Sequence, residues 1–352
     1  MLKAVCGSLP EGGPDLASQP TICRMENAAD VRCCYRVAEI IFELYLKERE
    51  KDGAPQRVLL DFDSTADPTH GDQEGSYYHG YYKQHIYHPL LVVFDGESGH
   101  LITALFLRAG NTHSSDSCVA LLKRIVERLR SRWPQAKIEI RADAGFAVPA
   151  LYDYCEEEGI TYTIGLVTNP RLEGIAQELL DEAVDLHEAE PTKQRLFSED
   201  LYRAGSWEHP RRVVYKAEAM EQGTNRRFVV STRADEPKAL YEFYAKRGES
   251  ENWIKDLKLH IKADRLSCHR FVANQFRVLS HAAAYWLMDT LRRKLVASGM
   301  RRMQLDTLRL RLIKIGGRVR ELLTKVRLHL ASGHPGQDLW HALSLAFGGV
   351  HE

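Results

Sequence analysis

The chain has 352 residues, of which 44% are hydrophobic and 27% charged, and its acidic and basic side chains cancel to a net charge of zero. These are ordinary globular values for a chain with ample core, and they neither require nor exclude a nucleic-acid partner, since the distribution of charge matters more than its sum. No run of eighteen apolar residues or signal-peptide pattern is present, so no membrane partner is expected. The seven cysteines (Cys6, Cys23, Cys33, Cys34, Cys118, Cys155, Cys268) form no Cys-x2-Cys pair, which fits a reducing cytosol and argues against a disulfide framework or a zinc site.

Residues 1–56 open with a Gly/Pro-rich stretch followed by a helix over about Val31–Glu48, with Val37, Ile40, Ile41 and Leu44 at helical spacing. Seven Lys/Arg against nine Asp/Glu make this segment no basic recognition module. Val58–Asp63 reads as a strand with Val58, Leu60 and Phe62 on one face and Asp61 and Asp63 on the other. A strand that ends in carboxylates is unfavourable inside a sheet unless a cation meets them, although strand-end aspartates often simply cap a turn. Residues 66–87, rich in Gly, His and Tyr, read as a loop, because no histidine pair has the spacing of a compact metal site.

Leu90–Phe94 and Leu101–Leu107 form a hairpin through Asp95–Gly99. Ser114-Ser115-Asp116 is expected to cap a helix running to about Arg130, ahead of Pro134. A fourth strand, Lys137–Ala142, ends in Asp143-Ala-Gly145-Phe146, again a carboxylate at a strand end. A helix (Pro149–Glu158) and a fifth strand (Thr161–Gly165) complete the run. Residues 167–239 exceed what a crossover needs and read as a β-rich insertion: an acidic helix over about 171–188, then strands Arg211–Glu218 and Arg226–Ser231, with Trp207 before the first.

Tyr244–Lys258, wound as one helix with Arg247 at zero, places Tyr244 at about 60°, Glu251 at about 40° and Lys258 at about 20°. Trp253, Ile254, Leu257 and Ile261 fall on the neighbouring apolar arc, and Glu249 lands on the far side. Phe271–Leu295 is apolar nearly all round and reads as a buried helix. From Leu291 to Leu328 twelve Lys/Arg face only Asp306 and Glu321, interleaved with Leu and Ile at helical spacing, as in a phosphate-binding track. Asp338–Phe347 suggests a short last helix.

The spacing Tyr244-x2-Arg247-x3-Glu251-x6-Lys258, with Asp63-Ser64-Thr65 and Asp143-Ala-Gly145-Phe146 upstream, resembles the DDE transposases of bacterial insertion sequences, in the cut-and-paste branch. The resemblance covers about residues 16–290. It implies an α/β, ribonuclease-H-like mixed five-stranded sheet with flanking helices, in which the first and fourth strands are neighbours. A β-rich insertion subdomain interrupts this core, and a helical region follows it. The resulting division is 1–56 as an N-terminal helical remnant, 57–166 and 240–290 as the two parts of the catalytic core, 167–239 as the insertion and 291–352 as a basic helical region. Leu16–Asn27 resembles the stretch that follows an N-terminal DNA-binding domain, which this chain lacks.

The resemblance further implies that Asp63, Asp143 and Glu251 are catalytic and hold two Mg²⁺ (Mn²⁺ in substitution), with Asp61 a second candidate for the first ligand. Tyr244, Arg247 and Lys258 would contact DNA, and Trp207 would stack on a base. The implied partners are double-stranded DNA, as terminal inverted repeats and target, and a second copy in a synaptic complex in the bacterial cytoplasm, at the nucleoid. A nuclease of the same fold without strand transfer and a non-catalytic DNA-binding remnant are the alternatives.

Overall fold

The computed structural model describes residues 9, 12–94, 101–322, 326–331 and 333–348. They fall into two units, one formed by Ala38–Ile254 and the other by Met1–Val37 with Lys255–Glu352. The turn expected at Asp95–Gly99 lies outside the described residues.

The first unit is built on one mixed sheet. Its strands are β1 (Arg57–Ser64), β5 (Leu90–Phe94), β6 (Leu101–Phe106), β7 (Lys137–Ala142), β8 (Thr161–Leu166), β9 (Gln194–Tyr202), β10 (Arg211–Met220) and β11 (Gly223–Ser231), in the order β6-β5-β1-β7-β8-β11-β10-β9. β1 runs parallel to β7, and β7 parallel to β8, while every other pairing is antiparallel. β5 is apolar throughout, as a strand covered on both faces should be; all five residues of β5 and six of the eight in β1 are buried. Helix Val31–Arg49 contributes Phe42 and Tyr45 to this core, with ring centroids 5.5 and 4.8 Å from Phe94, and Trp133 closes the cluster 6.3 Å from Tyr45.

The sheet is eight strands wide rather than five. Residues 167–239, expected to form a separate β-rich subdomain, instead extend the sheet, because β11 pairs antiparallel with β8 over Ser231↔Thr163 to Phe228↔Leu166. The sequence reading also missed β9. Gln194-Arg-Leu-Phe-Ser-Glu-Asp-Leu-Tyr202 carries charges because it is an edge strand, where such residues keep the open ladder in water. The stretch 66–87, read as a loop, holds a small three-stranded sheet of β2 (Asp67–Pro68), β4 (Gln84–Tyr87) and β3 (Tyr77–His79), too short for periodicity to register. The helix expected from Ser114 starts only at Cys118, behind Ser117 in a left-handed conformation (φ 63°).

In the second unit, helix Phe271–Ala297 buries Ala273, Val278, Leu279, Ala282, Tyr285 and Leu295, as its apolar sequence requires. Arg277 pairs with the buried Glu26 of helix Gln19–Ala28 at 3.2 Å. The region 291–328, expected to be helical, is helical only in part. After a single helical turn (Leu305–Leu308) and a π-helical turn (Arg309–Ile313), Gly316 and Gly317 end the helical path, and β12 (Gly317–Glu321) pairs with β13 (Val326–Leu330). Helix Gln337–Ala346 follows close to its expected bounds. Among the described residues no helix is long and apolar enough to cross a membrane.

The small Tyr/His sheet is locked to the main one at Gly110, whose N–H donates to Gly75 O at 3.0 Å. A Cβ there would lie 2.0 Å from Ile86 O and 2.7 Å from Tyr77 O, both backbone atoms that cannot yield. Gly110→Ala should therefore lower the melting temperature by several degrees. An unchanged melting curve would contradict this packing.

Candidate active site

The parallel pairing of β1 and β7 sets the geometry of the acidic site. The register Asp61↔Arg141 and Phe62↔Ala142 is the last of the pairing, and one further residue on each chain segment brings Asp63 and Asp143 to the same sheet end. Asp63 lies near the end of β1, buried, with Oδ1 accepting from Ser64 N–H at 2.8 Å. Asp143 leaves β7 in extended conformation, and its Oδ1 accepts from Gly145 N–H at 2.8 Å, which starts a short 3₁₀ turn.

Tyr244–Lys258 is broken, not one helix. A first helix, Pro237–Ala245, docks on the sheet through Leu240, packed with Val214 and Val229, with Tyr241 and Tyr244 against the same cluster. The chain turns at Lys246 and Arg247, and a second helix begins at Gly248, where Arg247 O accepts from Ser250 N–H (2.8 Å) and Ser250 Oγ (2.7 Å). The contacts the wheel called for survive the break. Arg247 sits between two carboxylates, with one guanidinium nitrogen 3.2 Å from Asp63 Oδ2 and the other 3.4 Å from Glu251 Oε1. Its backbone N–H donates to Tyr244 O at 2.9 Å. The tyrosine hydroxyl presses on β8 at Gly165, where a Cβ would come within 2.4 Å of it.

Burial pushes the Asp63 carboxyl up to about 7, and the negative charges of Asp143 and Glu251 add to the rise, against the attraction of Arg247. Burial pulls Arg247 down, but Asp63, Tyr244, Asp143 and Glu251 together hold it above the ordinary arginine value. Tyr82, from the small sheet, is raised by burial, by Tyr81 and by both Asp63 and Asp143, so it belongs to the same surroundings. The site is thus three carboxylates around one guanidinium. Among the described residues no three His, Cys, Asp or Glu side chains are grouped tightly enough to be a preformed metal site. The Glu251 side chain is 65% exposed, whereas that of Asp63 is only 9% exposed.

Sequence reasoning missed two supports of this site. Asp61, the second candidate ligand, is committed elsewhere: Arg141 Nε and Nη2 donate to its two oxygens at 2.5 and 2.8 Å, both side chains being almost fully buried. Arg141 Nη1 also donates to Phe243 O at 2.7 Å, next to Tyr244. The signal was present as Asp61-x-Asp63 and Arg141-x-Asp143, the same spacing on two neighbouring strands. The second support is Arg108, which is buried and donates to the carbonyls of His88 (2.8 Å), His113 (3.2 Å), Ser114 (2.8 Å) and Asp116 (2.7 Å). Burial pulls its guanidinium down to about 10. The turn it holds places Ser114 Oγ 3.2 Å from Ser64 Oγ and its Cβ against Gly145, between the two aspartate-bearing strand ends.

Of the other expected DNA contacts, Trp207 is packed inside its own unit. Trp207 is 4% exposed, with its ring edge-on to Tyr152 (5.4 Å) and Tyr202 (5.5 Å) and the Arg211 guanidinium over it (5.3 Å). These neighbours occupy the surfaces a base would need, so the stacking role expected of Trp207 does not fit this fold. Lys258 belongs to the π-helical turn Asp256–His260 of the other unit.

The site thus brings two strand-end aspartates together with an arginine from the turn between two helices and a glutamate from the second of them. The chain belongs to the family described as "Transposase DDE domain group 1", whose model matches residues 1–347. Among solved structures, the piggyBac transposase synaptic complex with hairpin DNA is 12% identical with a TM-score of 0.45, over 84% of this chain and 58% of that one. This chain therefore spans little more than half the length of that relative. The NurA nuclease from Sulfolobus solfataricus is 14% identical with a TM-score of 0.24, over 77% of this chain and 97% of that one. At these scores neither likeness bears on what the chain does. No curated protein sequence matches it.

Removing one partner of a buried ion pair strands the other, which costs about 3–5 kcal/mol, whereas replacing both by apolar residues costs far less. Arg141→Met should accordingly destabilise strongly in chemical denaturation, and Asp61→Leu added to it should recover much of the loss. Additive losses would show that the two do not act as a pair.

The raised pKa of Asp63 also carries a stability signature. The folded state binds this proton more tightly than the unfolded one, so the group's stabilisation is full below about pH 4 and is lost as pH rises through about 7. Without divalent ions, Asp63→Asn should raise the melting temperature by a few degrees at about pH 8 and change it little at about pH 4. A uniform shift at both would overturn the assignment.

Proposed function

We propose that the chain is a DNA transposase of a bacterial insertion sequence, which cleaves element ends and transfers the freed 3′-hydroxyls into target DNA by two-metal phosphoryl transfer. The observation that carries this is the meeting of Asp63 and Glu251, far apart in sequence, on Arg247, with Asp143 at the adjoining strand end. Family membership supplies the reaction class.

The donor set fits hard divalent cations, Mg²⁺ or Mn²⁺, which take carboxylate oxygens where zinc would favour His or Cys. Burial is the main cause of the elevated pKa of Asp63, with Asp143 and Glu251 adding to it, so a cation placed there would be strongly favoured, and the exposed Glu251 has room to turn inward. Asp63, Asp143 and Glu251 would hold the ions. Such ions, when bound, activate the attacking oxygen and neutralise charge building on the phosphate.

The chain's own groups do the rest. Arg247, released from the carboxylates, becomes a forked donor for a phosphate beside the scissile bond, a role that a lysine's point charge would fill less well. Tyr244 fixes the orientation of that guanidinium and offers its hydroxyl to the strand. Lys258 would grip a flanking phosphate. Asp61–Arg141 sets the level of the helix break, and Ser114 spaces the two aspartates. The substrates would be duplex DNA as terminal inverted repeats and target, gathered by a homodimer in a synaptic complex at the nucleoid.

Asp63→Ala, Asp143→Ala and Glu251→Ala should each abolish Mg²⁺-dependent 3′ nicking of a labelled duplex that carries the flanking repeats, without loss of the folded state by circular dichroism. Cleavage retained by any of the three would refute the site. Ends that are cut but never joined to a target would leave a nuclease without strand transfer.

A further inference from the structure

The antiparallel pair β12–β13 has two chemically different faces. Its register sets Arg318 opposite His329 and Arg320 opposite Arg327. Alternation along each strand then places all four on one face, and all four are exposed. Val319, Glu321 and Val326 lie on the other face and are half-buried. The ribbon's one carboxylate among the described residues is thus turned away from its arginines.

Arg320 and Arg327 form a like-charge pair directly across the ladder. Such a pair is unfavourable in an isolated sheet, where opposite charges or β-branched residues stabilise. A fold that keeps three arginines together on one open face, over an inner face that anchors the ribbon, presents a fixed cationic surface. A two-stranded ribbon is also an element that enters the major groove of duplex DNA, which is about 12 Å wide.

We propose that the β12–β13 ribbon is a duplex-DNA-binding element, with Arg318, Arg320 and Arg327 contacting backbone phosphates on either side of the major groove. Duplex DNA as the ligand rests on the function proposed above, and charge complementarity selects it here. The helical phosphate track expected over 291–328 is replaced by this shorter surface. Arg292 and Arg293, counted in that track, are in fact held by Asp289 at 2.5 and 3.0 Å, and Arg309 by Asp306 at 2.9 Å.

The test is binding of the full chain to a fluorescein-labelled duplex by anisotropy, in EDTA so that cleavage cannot occur, across a series of salt concentrations. Each lost phosphate contact flattens the log–log salt dependence by about 0.9, so R318Q/R320Q/R327Q should flatten it by about 2.7 and weaken binding at about 0.1 M salt by tenfold or more. R318K/R320K/R327K should keep the slope, and the melting temperature of the glutamine variant should stay at or above that of the parent. A slope unchanged by the glutamine variant overturns the proposal, as does a loss seen with poly-glutamate or single strands but not with duplex. Because binding is read without catalysis, a chain that never nicks DNA but shows the flattened slope leaves the ribbon standing. A chain that nicks DNA with an unchanged slope leaves the active site standing and removes the ribbon.

Discussion

Like charges held close together need a reason to stay, and this constraint shapes the unit that carries Asp63, Asp143 and Glu251. Asp63, Asp143 and Glu251 repel one another, and in Asp63 burial, with that repulsion added, lifts the pKa to about 7. Arg247 relieves the repulsion from the turn between two helices. The site therefore needs a rigid platform for the aspartates and an adjustable mount for the arginine and glutamate. Parallel pairing of β1 with β7 provides the platform, since its register is fixed by apolar residues buried on both faces. The interrupted helix provides the mount.

The buried Asp61–Arg141 pair joins the two. It sits one pleat below Asp63 and Asp143 on the same strands, and reaches the carbonyl of Phe243 at the end of the first helix. A charged pair so deep adds little to stability compared with apolar packing. Its value here is directional: a guanidinium fork bonded to one strand and one helix end admits only one height for the turn that follows. The Arg141 guanidinium also lies over the Phe243 ring at 5.0 Å, so the same side chain is held by charge, hydrogen bond and ring.

Much of this was legible in the sequence, and the failures have physical causes. The central strands could be read because burial on both faces writes long apolar runs, and Asp63 and Asp143 stood out as charges at the ends of such runs. The Tyr244–Arg247–Glu251 arrangement was found by a helical wheel although the helix is broken there, because the break at Lys246 and Arg247 keeps the i,i+4 contact to Glu251. Asp61 could not be told from Asp63 because its partner lies on another strand, and pairing between strands is invisible to local pattern. The packing of Trp207 could not be read because its neighbours Tyr152, Tyr202 and Arg211 come from different elements. β9 and the β12–β13 ribbon were missed for a common reason: strands bearing many charges do not look like strands. The insertion was recognised by its length, but its pairing with β8 depends on backbone edges, which leave no residue-level trace.

The outward-turned side chain of Glu251 has one more consequence. It is 65% exposed while that of Asp63 is 9% exposed, and Arg247 touches both. Water and dissolved salt screen the outer contact far more than the inner one. One guanidinium therefore keeps a firm partner and a loose one.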